Sequence, residues 1–99
     1  MFKLANNGYS MTFENGYTVS VRWHQCINYV QNRELDSPHT ANYNSVAKNS
    51  VDAEVAVIAD DGTFISTPFN DNDTVIGWQK PHQVVQIMKW AMELEEDKT

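Results

Sequence analysis

The sequence predicts an α+β fold: an antiparallel sheet of about four strands, in two hairpins, with one C-terminal helix packed on a face. Three observations carry this. Apolar residues alternate with polar ones from Met11 to Trp23, interrupted only by Glu14-Asn15-Gly16. The same strand–turn–strand arrangement returns in "AEVAVIADDGTFIS". From Pro81 the apolar period lengthens from that of a strand to that of a helix.

In the first hairpin Met11, Phe13, Tyr17, Val19, Val21 and Trp23 are apolar, with Thr12, Thr18, Ser20 and Arg22 between them. A two-residue Asn-Gly turn would set Phe13 opposite Thr18 and mix the faces. A three-residue loop sets Phe13 opposite Tyr17 and Met11 opposite Val19, which leaves one continuous apolar face. The expected turn is therefore type I at Glu14-Asn15, with Gly16 left-handed in a G1 bulge. In the second hairpin an Asp60-Asp61-Gly62 loop of the same kind pairs Val57 with Ile65 and Ile58 with Phe64. Ala56 and Ile58 make its first strand apolar on both faces, as in a central strand.

In "PFNDNDTVIGW" Pro68 ends the preceding strand, and Val75-Ile76 form a short edge strand or an ordered loop. Pro81 suits a first helical turn. Val84, Ile87, Met88, Ala91 and Leu94 then share one helical face, widened by Val85 and Met92, opposite Gln86, Lys89 and Glu93. Acidic residues from Glu93 onward meet the negative end of the helix dipole, so residues 95–99 form a frayed tail. Between the hairpins lies a long polar interval, about 24–51, of a length that is uncommon without a role. Cys26, Ile27, Val30 and Leu35 give residues 24–36 a weak helical spacing.

The 99 residues form a single domain, 1–99. A net charge of −6 excludes generic binding to nucleic-acid backbones. The single cysteine excludes an internal disulfide framework and favours a reducing compartment. No apolar run is long enough for a signal core or a membrane span, so a cytoplasmic protein is expected.

Catalytic and metal patterns are incomplete. Cys26 with His24 and His39 contains the elements of an activated thiol, but no glycine-rich nucleophile turn accompanies them. The plainer reading is a small buried hydrophobe. His24, Cys26, His39 and His82 match no zinc spacing, and His82 is expected to be an exposed first-turn residue. In "DNDTVIGW" Asp71 and Asp73 fit the start of a calcium loop, but Val75 fails the third position. The expectation is a protein that is not an enzyme, with no metal or cofactor. A small enzyme using Cys26 and a histidine is the minor alternative.

A binding surface is the stronger reading. Arg33 lies among Asn28, Tyr29 and Asn32, and Tyr43 follows. Arginine clamps anions, tyrosine stacks and asparagine reads polar edges, so Arg33, Tyr29, Tyr43 and Asn32 are candidate binding residues. Trp23 and Trp90 join them as aromatic anchors. Three tryptophans beside one covering helix favour a homodimer, through a strand edge or a helix flank.

The ordered motifs "TFENGYTVSV", "NYVQNR", "DAEVAVIADDG" and "VIGWQKPHQV" resemble a group of small, largely uncharacterised bacteriophage-encoded proteins. The likeness spans most of the chain except roughly residues 34–50. That group often has a cysteine soon after the Asn-Tyr pair; here Val30 follows it, and the thiol comes earlier, at Cys26. The resemblance implies a viral protein acting in the host cytoplasm. By analogy with other small acidic phage proteins, it would bind and inhibit or redirect a host protein, in the first place a defence component. The alternative partner is a nucleotide second messenger, held by Arg33 with Tyr29 or Tyr43 stacked on its base.

Overall fold

A computed structural model of the chain describes residues 1–5, 8–23, 34–35, 47–69 and 73–95. The strands are β1 (Phe2–Ala5), β2 (Gly8–Thr12), β3 (Thr18–Arg22), β4 (Glu34–Leu35), β5 (Ala47–Asn49), β6 (Ala53–Ile58) and β7 (Val75–Gln79), followed by helix α1 (Pro81–Met92). Five strands form an antiparallel sheet in the order β1-β2-β3-β6-β7, and β4 pairs with β5 separately. The architecture is α+β as expected, with five strands in the main sheet where the sequence predicts about four.

Both bulged turns form in the expected register. Met11 pairs with Val19, Phe13 N donates to Tyr17 O at 2.9 Å and Gly16 N to Phe13 O at 3.0 Å. Ile58 bridges Phe64, and Ile65 N donates to Val57 O at 2.9 Å. Gly16 and Gly62 take φ of 94° and 88°, the left-handed turn position where a Cβ is unfavourable.

The second hairpin differs in its return arm, which is a bridge at Phe64 and not a strand. Its place along β6 is taken over by β7. Ile65 lies against Val57, and Val75 pairs with Ala56, the next position along. This edge of the sheet is thus interrupted by an excursion between Ile65 and Val75. Buried Thr67 closes its base by donating its N–H to Asp73 O at 3.3 Å. Glu34–Leu35, at the end of the span weighed as a second helix, form a strand instead; residues 24–33 lie outside the described residues.

The core lies on one side of the sheet. Leu4, Tyr9, Val21, Val55 and Ile76 form one cross-strand row, and Phe2, Met11, Val19 and Val57 the next. Val84, Ile87 and Ala91 of α1 cover the central part of these rows. Val19, Val55, Val57, Ile76 and Ile87 are fully buried, each burial stabilising the fold by about 1.5–3 kcal/mol. The opposite face is mixed: Thr12 and Thr18 share a 2.7 Å hydroxyl hydrogen bond and Arg22 Nε donates to Ser20 Oγ at 2.9 Å, while Ile58, Phe64 and Val75 add apolar side chains toward the β6 and β7 side. Val85 and Met92, expected to widen the helical stripe, are 63% and 55% exposed. A single helix meets a sheet along one narrow stripe, and these two lie on its flank.

The helix is fixed at both ends. At its start Gln83 Oε1 accepts from Lys80 N at 2.8 Å, which is half of a capping box. At its end the Asn15 amide, from the first hairpin turn, donates to Ala91 O at 2.8 Å, Leu94 O at 3.1 Å and Met92 O at 3.3 Å. The last carbonyls of a helix lack their regular donor; besides the Asn15 amide, Ala91 O accepts from Leu94 N at 3.3 Å in the tightened last turn. Removing the clamp with Asn15→Ala should cost about 1–2 kcal/mol in urea denaturation. Asn15→Asp should cost more at neutral pH, because a carboxylate would face carbonyl oxygens and the negative end of the dipole. That environment raises the new carboxyl's pKa in the folded chain, so its extra penalty should shrink as pH falls and the group protonates. Equal losses for the two variants at neutral pH would discount the clamp.

Candidate functional site

A pocket of about 440 Å³ opens at the end of the domain opposite the Asn15 clamp. Val21 and Ala53 form its floor, Tyr9 and Trp23 one wall, and Pro81, Val84, Val85 and Met88 of α1 the other; Ser50, Val51, Asp52 and Gln79 complete it. Its size falls within the range of ligand pockets, and its lining is mostly apolar, with a few polar groups, as such sites usually are.

Each wall follows from local sequence. Tyr9 and Trp23 occupy the apolar side of β2 and of the chain just after β3, and their rings meet edge to face at 6.4 Å. Pro81 starts α1 beside the mouth, which brings Val84, Val85 and Met88 over it. Ser50 Oγ donates to Asp52 O at 2.6 Å, a tight turn leading into β6. Asp52 is 4% exposed.

Next to Gln79, a lining residue, lies a backbone outlier. Ala53 pairs with Gln79 and Val55 with Ile76, so Gly77 and Trp78 together oppose Glu54 in a β-bulge. Gln79 Nε2 donates to Gly77 O at 3.0 Å across it. Trp78 takes φ of 54°, a left-handed conformation that is unfavourable for a bulky residue, and its side chain is 51% exposed. Such strain amounts to about 1–3 kcal/mol and clusters at functional sites. Opposite it, partial burial raises the Glu54 carboxyl above its ordinary value.

Of the candidate binding residues, Trp23 lines the pocket. Trp90 is placed elsewhere, half-buried near the end of α1, with its ring edge to face with Phe69 at 6.0 Å. Arg33, Tyr29, Tyr43 and Asn32 lie outside the described residues, as do His24, Cys26, His39 and Asp71. His82 is exposed in the first turn of α1, as expected. Among the described residues no group of three His, Cys, Asp or Glu comes together to hold a metal, and no helix is long and apolar enough to cross a membrane. Sequence reasoning missed Tyr9, Asp52 and Met88 as lining residues, and the bulge at Trp78 beside them. A tryptophan directly after glycine in a short edge strand was the available signal for Trp78.

Protein-family models, curated proteins and solved structures all give no match to this chain.

The strain at Trp78 is separable from its ring. Trp78→Gly and Trp78→Ala both remove the indole, but only glycine relieves the left-handed backbone. The glycine variant should be the more stable of the two by about 1 kcal/mol in thermal or urea denaturation. An alanine variant of equal stability would show that the bulge relaxes once the ring is gone.

Proposed function

We propose that this chain acts by binding. The pocket receives a bulky apolar or aromatic side chain of a host-cell protein, which is thereby inhibited or redirected. The carrying observation is the Tyr9–Trp23 wall of an apolar pocket whose rim is itself apolar and exposed: Val51 at 48% and Val85 at 63%. Interfaces are anchored in this way, by one bulky side chain in a desolvated pocket inside a surrounding rim. The likeness to small phage proteins supports a host protein as the partner.

The nucleotide reading rests on Arg33, Tyr29 and Tyr43, outside the described residues. The pocket itself does not favour it. Its described lining has no lysine or arginine and includes Asp52, so a phosphate there would meet a carboxylate.

Val85→Glu tests the proposal, because this side chain lies on the exposed helix flank and its replacement leaves the core intact. The tagged wild-type chain should retain a host protein from infected cells, and the purified pair should bind at least about tenfold less tightly with the variant, or about 1.4 kcal/mol. Undiminished binding by Val85→Glu would rule out the pocket. Recovery of an intact nucleotide from the denatured wild type, with no retained protein, would favour sequestration instead.

A further inference from the structure

We infer that β1 is a pairing edge, through which two copies of this chain join their sheets into one. The hydrogen-bond phase of the sheet sets the argument. Met1 N donates to Thr12 O and Thr12 N to Met1 O, both at 2.8 Å, so Met1 and Thr12 are a mutually bonded pair. In an antiparallel ladder such pairs alternate with unbonded ones. With Lys3 opposite Ser10 and Ala5 opposite Gly8, the backbone groups of Lys3 and Ala5 also point at β2. The N–H and C=O groups of Phe2 and Leu4 therefore point away from the sheet.

The two outer edges contrast. The β7 edge is blunted by its interruption between Ile65 and Val75 and by the bulge at Trp78, two devices that discourage further pairing. β1 has neither and contains no proline. Its side chains are also uncovered: Phe2 is 80% and Leu4 89% exposed. Both stand in the same cross-strand rows as the core valines, on the side that α1 covers only further in.

A second copy is the occupant that fits. Antiparallel partners directly opposite one another share a face, so only registers of matching parity keep the apolar side chains together. A two-fold axis through Lys3 sets Phe2 against the partner's Leu4 and Leu4 against the partner's Phe2. These are the residues with outward backbone groups, so both pairs close into full hydrogen-bonded pairs, with apolar side chains stacked on the core side. Lys3 then meets the partner's Lys3 on the polar side. That like-charge contact, and the net charge of −6 on each chain, make added salt strengthen the association.

Sedimentation of the full chain from micromolar to millimolar loading tests this. Wild type should shift from monomer to dimer, and more readily at higher salt. Leu4→Pro removes an outward N–H without touching the β2 ladder and should stay monomeric. Phe2→Lys serves the same purpose without altering the backbone and should weaken the dimer at least about tenfold. Circular dichroism should show both variants folded. Lys3→Glu mixed with wild type should associate more tightly than either chain alone, because lysine then faces glutamate across the axis. A wild type that stays monomeric throughout, or a dimer indifferent to Phe2→Lys, would overturn the proposal. A mixture with no preference for the hetero-pair would overturn the axis through Lys3.

Discussion

The contact between the Asn15 amide and the last carbonyls of α1 sets the rest of the structure. It joins residues far apart in sequence, the first hairpin turn and the end of the one helix among the described residues. A helix on a sheet is otherwise held by apolar contact, which is strong but non-directional. The amide supplies direction. With the C-terminal end pinned over the Glu14-Asn15-Gly16 turn, Val84, Ile87 and Ala91 fall over the buried valines of β3 and β6. The N-terminal end of α1 is then left beyond the best-packed part of the sheet, and there the pocket opens. Clamp and pocket are opposite ends of one placement.

The edges of the sheet follow a second constraint, the sharing of β6. Its inner edge is taken by β3 from Glu54 to Ile58. Its outer edge is divided between Ile65 and β7, which takes over at Val75 after the chain has left the edge. Thr67 is fully buried at the base of that excursion, and Phe69 carries it against Trp90. Trp90 thus has a packing role in the described structure, tying the excursion to the helix flank. The division also leaves β7 short and bulged, so the sheet is blunted at one edge, while at the other no strand among the described residues pairs with the outer side of β1.

What the sequence made legible was whatever periodicity and steric rules determine locally. Both three-residue turns, the register across them and the buried stripe of α1 follow from keeping apolar residues on one face. β1 was not legible, because Phe2 and Leu4 are too few to establish a period and the sheet gives them nothing to pack against. The part of Asn15 beyond its turn was hidden for another reason. Its acceptors lie at the other end of the chain, and a turn asparagine looks the same whether or not a helix ends above it. The site was legible only through Trp23, an aromatic placed by strand alternation. Tyr9, Asp52 and Met88 come together with it from segments whose adjacency is a property of the topology.

The bulge opposite Glu54 shows what that topology tolerates. Two unfavourable terms meet at one cross-strand position: a left-handed backbone at Trp78 and a partly desolvated carboxyl at Glu54. Neither helps the fold. Glycine at 78 would remove the strain, and a neutral side chain at 54 would remove the burial of charge. Both persist because the flanking Ala53–Gln79 and Val55–Ile76 pairs hold the strands together on either side. Ala53 and Gln79 also line the pocket. The costs are therefore confined to the strand ends that frame the opening, while the clamped end of the domain has none of them. Strain of this kind is retained where surrounding structure over-determines it. Here that structure is the core beneath α1, which holds the strained Trp78 next to Gln79, a residue of the pocket lining.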